Sequence, residues 1–268
     1  MFSILCYIST KKFQFVGGDT VIEALPILRS LRSTNKGVLL AYSVEADENV
    51  ATGRTNGTHD VPNVSVGTTP PHKRIVDETL HSIDLAADLE EELKSRSPLI
   101  KGKGTWVSVK MSAMLPDVSA LVALSSFIVQ SRPPSAIPFP GSPRIEDLDV
   151  ILNTPSTGHL TPSQISGLRE LYSDLVRICT RARERGIKIT IDAEYRYVGL
   201  IFFVLFTEDS NSWYQPAIDA LTLALMREFN SLDAKKSRGQ VQPLVHGTFQ
   251  AYLRRQVFSR YKMKRSFI

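Results

Sequence analysis

The sequence predicts an α/β fold built on a parallel sheet or barrel, and three observations predict it. Four β-favouring runs, at residues 38–45, 105–112, 187–192 and 242–253, are separated by segments with helical periodicity. Strands divided by helices cannot be hairpin neighbours, so the sheet must join them in parallel. The runs also close on polar residues, Glu45, Lys110, Asp192 and Gln250, which would converge on one edge of the sheet.

Taken in order, the first helical segment covers residues 20–32, with Val21, Ala24, Leu25, Leu28 and Leu31 on one face. Pro26 falls inside it, so a start near Glu23 is predicted. Asn35-Lys36-Gly37 stops it, and residues 38–45 read as a buried strand ending in an acid. Residues 46–72 are rich in Thr, Gly, Asn, Asp and Pro without apolar period and read as a long loop. An amphipathic helix follows over 73–94, with Ile75, Val76, Leu80, Ile83, Ala86, Leu89 and Leu93 as its apolar side. The strand at 105–112 then carries Lys110.

Pro133, Pro134, Pro138, Pro140, Pro143 and Pro155 confine 130–160 to loop or short helical turns. Thr161, Pro162 and Gln164 form a helix-opening signature, a capping box with proline in the first turn. The helix keeps Ile165, Leu168, Leu171, Leu175, Ile178 and Cys179 on one face to about Arg185, and Gly186 ends it. The next strand runs Ile187-Lys188-Ile189-Thr190-Ile191 into Asp192. A last helix at 216–230, with Ile218, Leu221, Leu225 and Phe229 aligned, leads to the fourth strand.

Composition narrows the functional classes. A chain of 268 residues with 43% hydrophobic content can bury a sizeable core. The net charge of +5 comes from 32 basic residues dispersed among 27 acids, with only the last dozen residues strongly basic. No groove-reading motif accompanies the charge, which argues against nucleic acid as a partner. Cys6 and Cys179 stand far apart, outside any CxxC pattern, and read as free thiols; no metal site is expected. The most apolar stretch, 198–206, is much shorter than the roughly 18 residues of a membrane span. The opening apolar run precedes Lys11 and Lys12, the reverse of a signal peptide's order, and is no convincing transit peptide.

Asp192 is the first candidate functional residue, because a buried parallel strand delivers it to the mouth of an α/β fold. Locally the same position also suits a cap for the next helix. A strand-end lysine such as Lys110 is by itself most simply a solvated charge.

Together, Val109-Lys110-Met111-Ser112-Ala113, Ile191-Asp192-Ala193-Glu194, Trp213-Tyr214-Gln215-Pro216-Ala217, Leu225-Met226-Arg227-Glu228-Phe229-Asn230 and Thr248-Phe249-Gln250-Ala251-Tyr252-Leu253 resemble the proline dehydrogenase (proline oxidase) family, in its order and in a fungal style. Gly17-Gly18-Asp19-Thr20 and the strand to Glu45 fit the family's opening. The resemblance covers most of 15–255, a partial barrel domain, with 1–14 and 256–268 as ends foreign to the family. It implies an incomplete (βα)8, TIM-like barrel, about its first half. It also implies FAD at the C-terminal strand ends and oxidation of L-proline to Δ1-pyrroline-5-carboxylate, with electrons passing to a quinone. A mitochondrial location and peripheral contact with a membrane follow from the same resemblance. Carried over, Lys110 would hold proline and flavin, Asp192 would be the active-site acid, and Ala193 and Gln250 would touch the flavin.

The chain departs from the family in two ways. After Arg255 nothing matches the family's fifth strand, with its arginine and Gly-Ala-Tyr turn, or its terminal arginine pair. Residues 196–211 interrupt the expected passage from Asp-Ala-Glu to Trp-Tyr-Gln-Pro-Ala and read as an insert of translated intron or out-of-frame sequence. The expectation is an incomplete copy with negligible proline-dependent dye reduction as it stands; the alternative is a non-catalytic remnant or interaction module without flavin turnover.

Overall fold

The structure, a computed structural model, describes residues 2–3, 16–18, 20–42, 69–96, 104–132, 143–153, 160–194, 215–230 and 242–249. Glu45, Gln250, Arg254, Arg255, the insert at 196–211 and residues 256–268 lie outside the described residues. The chain opens with a short antiparallel pair, β1 (Phe2–Ser3) and β2 (Val16–Gly18).

Helix α1 (Val21–Ser33) begins earlier than Pro26 suggested. Thr20 caps it, its hydroxyl accepting from the Glu23 N–H at 3.2 Å, and buried Val21, Ala24 and Leu28 anchor its face. The cap and the buried stripe outweigh the one backbone bond that Pro26 removes. Strand β3 (Val38–Ala41) and helix α2 (Pro71–Arg96) follow. Here α2 reaches back into the segment read as loop, with Pro71 at its first position, where a missing N–H is harmless.

Strand β4 (Thr105–Val109) is shorter than predicted, because the backbone turns into a 3-10 turn at Ser112–Met114. Helix α3 (Ser119–Gln130) has no counterpart among the sequence expectations. Its residues are apolar on most sides, so it lacks the polar contrast that marks a surface helix. The proline-rich middle contributes a 3-10 turn at Ile145–Leu148 and the one-turn α4 (Asp149–Leu152). Helix α5 (Pro162–Arg185) has the anticipated capping box between Thr161 and Gln164 and ends at Gly186, whose φ of 64° is left-handed. Gly186→Ala is expected to cost about 1 kcal/mol, since a Cβ disfavours that conformation, and a lowered urea midpoint would show it. Strand β5 (Lys188–Ile191), helix α6 (Gln215–Phe229) and strand β6 (Val245–Gly247) complete the described elements.

The four main strands form one parallel sheet in the order β3-β4-β5-β6, so each strand pairs with its predecessor and successor in the chain. Strand order never reverses. Right-handed crossovers that advance in one direction place their helices on one side, which is the winding of a (βα)8 barrel rather than of a doubly wound sheet. The fold is thus a partial (βα)8-type barrel, as the sequence predicts.

Register explains which residues meet the helices. Leu40, Val107, Ile189 and Val245 lie in one row and are buried, and Val109 and Ile191 continue it one layer higher. The alternating residues face the other way, and among them Ser108 and Thr190 are buried. Leu39 there is 48% exposed. Beside it Trp106 stacks on His246, ring centroids 4.6 Å apart, and Lys188 sits over the Trp106 ring at 4.9 Å.

A buried ion pair ties three elements beneath this sheet. Arg32 of α1 donates from Nε to Glu90 Oε1 of α2 at 2.7 Å, and both side chains are 2% exposed. Glu90 also accepts from Thr105 Oγ1 at 2.5 Å and from the Gly104 N–H at 3.3 Å, while Arg32 donates to the Lys36 carbonyl at 2.9 Å. Gly104 leaves the room: a Cβ there would stand 2.6 Å from Arg32 Cζ. On the outer surface Arg177, Arg181 and Arg185 of α5 pair with Asp77, Asp84 and Asp88 of α2. The two ladders ascend together, as parallel helices in successive βα units require.

Candidate active site

The C-terminal edge of the sheet brings Lys110 and Asp192 side by side. Val109 and Ile191 are register partners, and the Asp192 N–H donates to the Val109 carbonyl at 3.0 Å, so the pairing extends one residue past both strands. Both side chains are partly exposed. Hydrophobic β4 and β5 fix this height, because Val107, Val109, Ile189 and Ile191 must all reach the helix layer.

Strand β6 ties in from the other flank. Ile191 is paired with Gly247, and Thr248 donates both its N–H and its Oγ1 hydrogen to the Ile191 carbonyl, each at 3.0 Å. The same Oγ1 accepts from the Ala193 N–H at 2.5 Å. Asp192 and Ala193 therefore sit in backbone held on two sides.

Glu194, two residues beyond Asp192, is 9% exposed and reaches back across the strand ends. Its carboxylate accepts from the Ser112 N–H at 3.2 Å and from the Ser112 hydroxyl, and the Met111 N–H also bonds to it. Burial pushes the Glu194 carboxyl above its ordinary range, and the Ser112 and Met111 bonds and the Lys110 charge pull it only partly back.

Asp192 lines a small crevice between β5, β6 and α6, together with Gln215, Asp219, Thr222, Gly247 and Thr248. Lys110 is not part of that lining. Gly247 keeps the crevice open, since a Cβ would touch Met226 Cε and Thr222 Cγ2 at 3.4 Å each. Gln215, 2% exposed, gives its Nε2 hydrogen to Asp219 Oδ1 at 2.7 Å, and its buried Oε1 has no partner among the described residues. Asp192 stands near the first turn of α6 without being its N-cap in sequence, as 23 positions separate Asp192 from Gln215. Gln250 lies outside the described residues, so its place at this edge is not part of the geometry.

Sequence reasoning passed over Glu194, Ser112 and Thr248 as site residues, although all three stand inside the quoted motifs. Their signal was the parallel offset: Ser112 follows Lys110 by two, and Glu194 follows Asp192 by two. Cys179 is free and buried, and burial with the nearby Glu228 charge pushes its thiol to about 12, which removes it as a nucleophile at neutral pH. Among the described residues no helix is long and apolar enough to cross a membrane.

Fold and edge define a parallel α/β barrel segment whose strand ends present a lysine and an aspartate. No family model matches the chain. It is similar to the Schizosaccharomyces pombe (strain 972) protein described as "Probable proline dehydrogenase, mitochondrial", with 24% identity over 246 residues, 90% of this chain and 41% of that protein. The chain thus spans less than half the length of that relative. Among solved structures it is similar to proline utilization A (PutA) from Bdellovibrio bacteriovorus inactivated by N-propargylglycine, with 15% identity and a TM-score of 0.49, over 95% of this chain and 18% of that one. That superposition is too loose to argue from.

Proposed function

We propose that the chain serves FAD-dependent oxidation of L-proline to Δ1-pyrroline-5-carboxylate, with electrons passing to a quinone at a mitochondrial membrane surface. The observation that carries this is the adjacency of Lys110 and Asp192 past a register-paired couple of parallel strands. Similarity to a curated mitochondrial proline dehydrogenase supports the substrate and the location.

The donor set at this edge suits both a flavin and an amino acid. An ammonium at Lys110 orients a substrate carboxylate and favours electron density gained by a neighbouring ring system. The Asp192 carboxylate orients either that ammonium or the substrate amine. Ala193, its N–H held by Thr248, offers a fixed backbone edge for cofactor contact, and Gln250 is carried over as a second flavin contact from the family resemblance alone. FAD, when bound, supplies the two-electron oxidation itself. The remaining work of these residues is to hold the substrate in the near-contact geometry that transfer requires.

Protein mixed with FAD and passed through gel filtration is expected to emerge yellow, with roughly one flavin per chain, and Lys110→Ala to retain less. A colourless protein, with its helical circular dichroism intact, would sink the proposal.

A further inference from the structure

We infer that Glu194 is a positioning residue that sets Lys110 against Asp192, with Ser112 as its anchor on the neighbouring strand end. The inference rests on the proposed use of Lys110 and Asp192. Its physical content is a brace between two chain segments.

Hydrogen bonding between β4 and β5 ends with the Asp192 N–H on the Val109 carbonyl. Beyond that point the β4 chain leaves the sheet for the 3-10 turn at Ser112–Met114, while the β5 chain continues through Ala193 to Glu194. The two segments would part directly above the residues that must stay together. Glu194 prevents this, since its carboxylate takes the Ser112 N–H at 3.2 Å, the Ser112 hydroxyl and the Met111 N–H. A side chain thereby replaces the backbone ladder, two residues past each site residue.

The brace is dry and closed in. Glu194 is 9% exposed, Ser112 3% and Met111 0%. A main-chain donor at 3.2 Å and the Ser112 hydroxyl on a buried carboxylate leave little freedom, and each bond is costly to break there. Lys110 lies immediately before Met111, and its charge is felt at Glu194, so the carboxylate constrains the backbone carrying the lysine and shares its field. On the opposite flank Thr248 holds Ala193. Asp192 is thus fixed between two side-chain ties, of which only that from Glu194 reaches the lysine-bearing segment.

The test compares Glu194→Ala with Glu194→Gln, whose amide oxygen still accepts the main-chain bonds. Amide hydrogen exchange by mass spectrometry is read first. Glu194→Ala is expected to speed exchange about tenfold or more in segments 109–114 and 190–194, with α2 and α5 unchanged. Glu194→Gln is expected to restore protection. Unchanged exchange in either segment overturns the brace; faster exchange throughout the molecule overturns it too, because Glu194 would then be general core. Proline-dependent dye reduction is read second. Where turnover is measurable, Glu194→Ala is expected to lower kcat about tenfold or more, with KM within roughly twofold, and Glu194→Gln to recover it. A rise in KM with kcat unchanged overturns positioning in favour of substrate contact. Absence of turnover in every form is the result expected of an incomplete copy, and the exchange result then decides the brace by itself.

Discussion

Arg32→Ala is expected to remove about 3–5 kcal/mol of stability, because it strands a carboxylate that has no access to water. Glu90 would keep Thr105 and Gly104 as donors and lose its counter-ion, with both original partners 2% exposed. Urea denaturation followed by circular dichroism would measure the loss. Replacing both partners, Arg32→Met with Glu90→Met, should recover most of it, since a well-packed apolar pair is often no worse than a buried ion pair. The same pair sets an acid limit. Burial alone would raise the Glu90 carboxyl, but the Arg32, Thr105 and Gly104 bonds and the Arg32 charge together hold it below its ordinary value. With a folded pKa under the unfolded one, its stabilisation is complete above about pH 4.5 and fades as pH falls through the folded value. Glu90→Gln should flatten that part of the stability profile.

Loss of Lys110 or Asp192 should have the largest effect on chemistry. Where proline-dependent dye reduction is measurable, Lys110→Ala and Asp192→Ala are each expected to lower kcat/KM by about 10²–10³-fold, the usual scale for one oriented charge at a reacting centre. Their combination should cost less than the product of the two, because the groups sit on adjacent strand ends and, in the proposed function, share one ligand. Steady-state kinetics on the three variants would check this. Full activity in Asp192→Ala would leave that residue with a local structural role.

The chain's winding was legible because helical and strand periods mark the units at 73–112, 161–192 and 216–249. Thr161, Pro162, Gln164 and Gly186 each carry a local physical instruction, and the helix they bound appears as read. Helix α3 was hidden for the opposite reason: Leu121, Leu124 and Ile128 are buried while Val129 is 41% exposed, so its sequence has little amphipathic contrast. The early start of α1 depends on competition between Thr20 and Pro26 that propensity does not rank. At the candidate site, strand ends bearing Lys110 and Asp192 could be listed from sequence. Their adjacency needed the register between Val109 and Ile191, and register is a property of two chain segments together. Glu194 was hardest to find, as a glutamate in an acidic run reads as solvent-facing until its anchor on Ser112 is known.

The unreversed strand order also bears on how the molecule assembles on the ribosome. Among the described residues, each strand of the parallel sheet pairs with its neighbours in chain order. A growing chain can therefore lay β4 on β3, seal the step with Arg32 and Glu90, and add β5 and β6 in turn. Synthesis and folding then share a direction, and the described edge of the candidate site is tied together only when Thr248 arrives to close on Ile191 and Ala193.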